Sequence, residues 1–301
     1  MPHGPRGKKA GEKGMNRLVK TLIYNNEMSL CVMDTTELVN EAIEIHRLSP
    51  LSAAALGRVL TVSSFMASCL KNETDKLSVS VVGDGVGGTI TVSGNSALDM
   101  RGSIDNPRAE LPLRADGKLD VGGCVGRNGR LTVVKSMGLK EPYSGSCRLV
   151  SGEIAEDFAA YYLYSEQQPS AIALGVKIGK DYRCAGAGGV VIQALPGASE
   201  ESICKAEEAM KHFANISTLI KEKSIEEIIT EYFGKCAPLE EFSPHYKCLC
   251  SRDYIAGILK TMGKKELDDI VAEQGKITVN CEFCEKNYEF SQEDVDGMFK
   301  G

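Results

Sequence analysis

The sequence predicts an α+β fold in three parts: an N-terminal, largely antiparallel β-sheet domain with helices, a helical linker, and a small C-terminal α/β module. Strand-like segments arrive in adjacent pairs and do not alternate strictly with helices, which favours antiparallel sheets. From Ser199 the chain turns helical and charged, with no strand signal. Near the C-terminus two close cysteine pairs mark a separate unit. At 301 residues the chain is long enough for more than one domain. The expected bounds are a disordered extension over 1–14, the α+β domain over 15–197, the linker over 198–244 and the module over 245–301.

The first fourteen residues, MPHGPRGKKAGEKG, hold Gly, Pro and basic residues without the apolar core of a signal peptide. They read as a disordered tail, with Met15 an alternative start. LVKTLIY and MSLCVM flank Asn25 and Asn26, predicting a hairpin over 17–33. A helix then runs from Thr35 or Thr36 toward His46, with Leu38, Val39, Ala42 and Ile43 on one face. Ser49 and Pro50 open a second helix, LSAAALGRVLTVSSFMASCL, which is apolar nearly all round and so belongs in the core. Gly83, Gly85 and Gly88 match G-x-G-x-x-G, but a dinucleotide site needs a helix next. TITVSG follows instead, alternating and β-branched, so these glycines read as a hairpin or bulge.

Further strands are expected in DMRGSI, RLTVVKS and GSCRLVSG, a helix near IAEDFAAYYLYSEQQ, and a hairpin in AIALGVKIGKDYRCAGAGGVVIQAL. Ser199 caps the linker's first helix, whose Glu200 and Glu201 suit the helix dipole. Ile203, Ala206, Met210, Phe213, Ile216 and Ile220 recur at helical spacing, and Ser224 with Glu227 forms a capping box opening SIEEIITEYF. Helices this short do not stand alone in water. They must pack on a neighbour, either as an ordinary connector or as a switchable linker. In the last part Ser251 caps RDYIAGILKTM, Gly275 closes KKELDDIVAEQ, KITVN and NYEF are strands, and Ser291 with Asp294 opens a short helix.

Eleven cysteines is an odd number, so full pairing within one chain is impossible. Cys31, Cys69, Cys124, Cys147, Cys184, Cys204 and Cys236 stand singly and read as small buried core residues. Cys248 and Cys250 form C-x-C, and thirty residues later Cys281 and Cys284 form C-x-x-C. Together they supply a tetrahedral four-sulfur set for one zinc ion per chain, making the C-terminal part a zinc-binding α/β module. His245 is an alternative ligand or an ordinary surface histidine. A core of little more than fifty residues is marginal, whereas structural zinc contributes roughly 10–16 kcal/mol in small peptides. Loss of the metal is therefore expected to unfold the module. Residues i and i+2 in extended backbone lie about 6.6 Å apart, near the upper end of the roughly 4.4–6.8 Å range for disulfides. A Cys248–Cys250 bond would be strained and easily reduced, the profile of a sensor.

Other uses of the thiols stay open at this stage. A thiol–disulfide oxidoreductase would use C-x-x-C catalytically, although the residues before it are not a βαβ unit. A zinc-ribbon nucleic-acid binder should be basic. From Cys248 to Gly301 seven Lys or Arg face eleven Asp or Glu, a net of −4, and the whole chain carries −6. No nucleic-acid partner is expected. No apolar run approaches the roughly 20 residues of a membrane span, so no membrane partner is expected; without a signal peptide the reducing cytoplasm is the expected compartment.

The sequence resembles the heat shock protein 33 family of redox-regulated holdase chaperones from about Met15 to the end. The resemblance rests on TTELVNEAIEIH, SAAALGRVL, GKLDVGGCVGRNGRLTVVKSMGLKEPYSG, SGEIAEDFAAYYLYSEQQPSA and GGVVIQALPGA, then CLCSRDY and CEFC. It implies a substrate-binding and dimerisation domain over 15–197, a metastable linker and a redox domain. It further implies zinc on four reduced cysteines, and activation by Cys248–Cys250 and Cys281–Cys284 disulfides with zinc release. The expected partners are unfolded clients, bound without ATP, and a second copy of the chain when oxidised. No catalytic residues are expected. The candidate client-binding residues are Ile203, Met210, Phe213, Ile216, Ile220, Ile228, Ile229, Tyr232 and Phe233. The N-terminal extension and the seven additional cysteines depart from the family pattern.

Overall fold

The computed structural model describes residues 15–138, 141–234, 236–237 and 239–300. The extension expected over 1–14 lies outside them. The chain divides after Tyr246 into two compact units.

In the first unit, β1 (Arg17–Ile23) and β2 (Met28–Asp34) form the expected hairpin, in register from Arg17↔Asp34 to Ile23↔Met28. Helices α1 (Thr36–His46) and α2 (Pro50–Ala67) follow, the second capped by Ser49, whose hydroxyl accepts from the Ser52 amide. Then come β3 (Lys76–Val82), β4 (Ile90–Asn95), β5 (Asp99–Ile104), a short α3 (Val121–Val125), β6 (Arg130–Ser136), β7 (Tyr143–Arg148) and α4 (Ala155–Tyr164). The hairpin β8 (Ser170–Ile178) and β9 (Cys184–Ala194) completes the run. The glycine-rich stretch joins β3 to β4, with a strand after it as its alternating residues required.

The linker forms α5 (Glu200–Met210), a 3₁₀ turn over Lys211–Asn215, α6 (Ile216–Glu222) and α7 (Ile225–Phe233). Two short strands close the unit, β10 (Glu240–Phe242) and β11 (His245–Tyr246). One sheet has the order β10-β1-β2-β9-β8, the other β11-β5-β4-β3-β6-β7. Every pairing in them is antiparallel except β11 with β5.

The apolar α2 packs against strands of both sheets and fills the main core with Leu56, Val59, Leu60 and Val62. Among the described residues it is the one helix long and apolar enough to cross a membrane by length and composition, which corrects the expectation that no apolar run approaches a membrane span. Of that window 89% is buried in the fold, as suits a core helix.

The linker covers the outer face of the first sheet. Phe213, Ile216, Ile220, Ile228, Ile229 and Phe233 are buried there with Val19, Ile23, Leu30, Val32, Val190 and Ile192. Ile203, Met210 and Tyr232 pack partly buried against the same cluster. The 3₁₀ turn breaks the continuous helical spacing read from the sequence. It places Phe213 stacked on Phe233, centroids 5.8 Å apart, and edge-on to Tyr232 at 5.1 Å. Glycine on the sheet permits this close docking: a Cβ at Gly186 would stand 2.3 Å from the Ser217 carbonyl oxygen. The capping box at Ser224 and Glu227 forms as expected. Arg17 ties β1 to α7 through Glu226, at 2.6 Å, and to β10 through Glu241, at 2.7 Å.

The second unit comprises α8 (Arg252–Lys260), α9 (Lys264–Gln274), the antiparallel pair β12 (Ile277–Asn280) and β13 (Asn287–Phe290), and α10 (Gln292–Met298). Its buried apolar core is small: Ile255, Leu259, Leu267, Val271, Ile277, Phe290 and Val295.

Because Phe213 sits at the centre of the linker's aromatic stack, Phe213→Ala should cost about 3–5 kcal/mol locally. Hydrogen exchange across 200–233 should rise sharply while β3 and β6 stay protected. Unchanged linker protection would contradict this packing account.

Candidate metal centre

The two cysteine pairs reach one point from different backbone forms. Cys281 and Cys284 sit in the turn that closes β12 and β13. The Cys281 amide donates to the Lys286 carbonyl at 2.9 Å, and the Cys284 and Glu285 amides donate back to the Cys281 carbonyl. Glu285 takes a positive φ of 57° to complete that turn. Cys248 and Cys250 lie in the irregular segment before α8, which Ser251 caps by accepting from the Tyr254 amide. From there Cys248 meets Cys281 and Cys250 meets Cys284.

All four Sγ atoms lie within 4.8 Å of one another, with Cys248–Cys281 at 3.6 Å and Cys250–Cys284 at 3.3 Å. A tetrahedral zinc site with Zn–S near 2.3 Å has sulfur–sulfur edges of about 3.8 Å. The donor set and its spacing therefore fit a four-coordinate thiophilic ion. Cys281 is buried and the other three are half-buried. No other group of three or more metal-ligating side chains converges among the described residues. His245 lies on β11, paired with Asp99 of β5, and is not part of this group.

Tyr288 on β13 places its hydroxyl 3.1 Å from Cys250 Sγ. Burial opposes charge on Cys250, but hydrogen bonds from Tyr288 and the neighbouring thiols outweigh it and bring the thiol down to about 7. The same hydrogen bond, with burial, pushes Tyr288 up to about 12. Tyr288 would thus act as a donor to Cys250 whenever that sulfur is a thiolate. The sequence placed Tyr288 on a strand but gave no sign of this role, which depends on the β12–β13 pairing.

Of the seven single cysteines, Cys31, Cys124, Cys147 and Cys184 are buried as expected. Cys69 and Cys204 are exposed and Cys236 is half-buried, which corrects the core reading for these three. Cys69 follows the last turn of α2, and Cys204 lies on α5 off the face formed by buried Ser202, Ala206 and Ala209.

The sequence profile of the Hsp33 protein family matches residues 16–291. A 33 kDa chaperonin of Alkaliphilus oremlandii is 40% identical over 286 residues, covering 94% of this chain and 96% of that protein. One from Clostridium acetobutylicum is 39% identical over 290 residues, covering 95% and 97%. The crystal structure of the Thermotoga maritima 33 kDa chaperonin, a heat shock protein 33 homolog, superposes with a TM-score of 0.86 at 33% identity. That match covers 95% of this chain and 98% of the other.

Cys281→Ser removes one of the four donors and should abolish stoichiometric metal binding. It should also leave α8 to α10 without amide protection, while the first unit keeps its own. A variant that folds its second unit normally without metal would show that the sulfur cluster is dispensable.

Proposed function

The chain belongs to the Hsp33 family, and on that premise we propose that it is an ATP-independent holdase chaperone of the cytoplasm, switched on by oxidation. The supporting observation is the conjunction of a convergent four-sulfur site with a linker whose apolar face is packed away against the first sheet. Cys248, Cys250, Cys281 and Cys284 would hold one zinc ion, the divalent ion whose softness and tetrahedral preference suit four sulfurs. When bound, zinc would keep the four sulfurs as thiolates and join the segment before α8 to the β12–β13 turn.

Thiolates are the oxidisable form of cysteine. Each disulfide forms as two thiolates give two electrons to the oxidant; with hydrogen peroxide and two protons the by-product is two waters. Following the family resemblance, Cys248 pairs with Cys250 and Cys281 with Cys284. All six sulfur pairs lie within 4.8 Å, so the reduced arrangement leaves every pairing within short reach. Two disulfides abolish the donor set. The second unit is then left with seven buried apolar residues, too few for a stable core of its size.

The linker precedes this unit in the chain and is itself short, charged and dependent on the sheet for burial. Its release would uncover two apolar surfaces together. One carries the client-binding candidates Ile203, Met210, Phe213, Ile216, Ile220, Ile228, Ile229, Tyr232 and Phe233; the other is the sheet face they cover. Hydrophobic, sequence-tolerant capture of unfolding proteins follows from such surfaces. The active form is proposed to be a homodimer.

Aggregation of a thermally denatured client should be suppressed weakly by reduced, zinc-loaded protein and strongly after peroxide treatment at a denaturing temperature. Equal suppression by both forms, with zinc retained throughout, would rule the switch out.

A further inference from the structure

Lys20 and Cys31 are cross-strand neighbours in the β1–β2 hairpin, so their side chains leave the same face of the sheet. The Lys20 ammonium reaches the end of α2, donating to the Ser68 carbonyl at 2.9 Å and to Cys69 Sγ at 3.4 Å. It also lies 4.8 Å from the centre of the Phe242 ring on β10. Beside this group opens a cavity of about 470 Å³, partly walled by Leu22, Leu30 and Phe65. Among the described residues its only charged lining groups are one cation, Lys20, and one carboxylate, Glu240. Its two thiols differ in kind. Cys31 is buried, and burial pushes its thiol far up, whereas Cys69 is exposed.

We propose that Cys69 is a modification site, independent of the four-sulfur centre, for low-molecular-weight disulfides with α-amino-acid ends, of the cystine type. The cavity offers such a molecule an apolar wall for its carbon skeleton, Lys20 for its carboxylate and Glu240 for its ammonium. The step is thiol–disulfide exchange and needs no other oxidant. The deprotonated Cys69 sulfur attacks one sulfur of the small disulfide and its S–S bond breaks. One half stays as a mixed disulfide on Cys69 and the other leaves as a thiolate. Cys31, held protonated, is a poor attacker of the new bond, so the adduct persists until an external thiol reverses it. The cavity also abuts Ala237, whose carbonyl accepts from the Thr21 hydroxyl at 3.0 Å.

Cys204 is also exposed and serves as an internal standard in the same chain. Reduced, metal-loaded protein is treated separately with L-cystine, with cystamine, which carries only ammonium groups, and with 3,3′-dithiodipropionate, which carries only carboxylates. Peptide mapping by mass spectrometry then gives modification rates at both cysteines. The Cys69-to-Cys204 rate ratio should be about tenfold higher with cystine than with either reagent of a single charge sign, as expected for a site with two complementary charges. Lys20→Gln and Glu240→Gln should each shrink that preference. The proposal is overturned if the ratio is the same for all three reagents, or if cystine modifies Cys69 no faster than Cys204. The wild-type comparison decides the matter even where a variant fails to fold. It reads Cys69 alone, so its outcome is separable from the fate of the zinc switch.

Discussion

Four sulfur atoms held within 4.8 Å of one another, brought together from two segments thirty residues apart, need something to join them. As thiols they offer one another only weak hydrogen bonds. As thiolates they repel and, being half-buried or buried, they lack full solvation. A cation at their centre turns both costs into binding energy, and in small zinc peptides that amounts to roughly 10–16 kcal/mol. The second unit has seven buried apolar residues to set against the entropy of ordering its chain. On the proposed reading its fold is contingent on the metal. The hydroxyl of Tyr288 lies 3.1 Å from Cys250 Sγ and favours the charged form of that sulfur.

The linker presents the second conditional fold. Its helices are short, serine caps close the starts of α5 and α7 but not of α6, and their apolar residues are buried on the first sheet. The docking is close, since Gly186 leaves no room for a side chain beneath Ser217. The Arg17–Glu226 pair adds orientation more than strength, because Glu226 is 38% exposed and solvent screens the pair. The surface that stabilises the linker in this structure is therefore the surface it would surrender on release. On the proposed reading the covered interface would supply both halves of the client-binding surface.

Much of this was legible in the sequence because it is written locally. The Asn25–Asn26 turn, the Ser49–Pro50 start, the Ser224–Glu227 box and the αL glycine at 275 each signal within a few residues. The C-x-C and C-x-x-C pairs did so too, because ligands of one ion must sit close in pairs. What stayed hidden depends on partners distant in the chain. The three-residue β10 and two-residue β11 are strands only because β1 and β5 offer edges. The 3₁₀ turn at 211–215 interrupts a spacing that by itself reads as one continuous helix. Single cysteines in apolar contexts read alike, although Cys69 and Cys204 face solvent and Cys31 does not. Order of the sheets and the covering of the first by the linker likewise come from long-range packing.

The most direct test of the account follows metal, thiols and linker in one experiment. During peroxide treatment of the full chain, zinc content, free thiols and hydrogen exchange are measured at matched times. The account predicts that one zinc and four thiols per chain are lost in step, and that protection then falls across 252–298 and across 199–233 while β2 and β9 keep theirs. Complete loss of zinc and of the four thiols with a fully protected linker would contradict it.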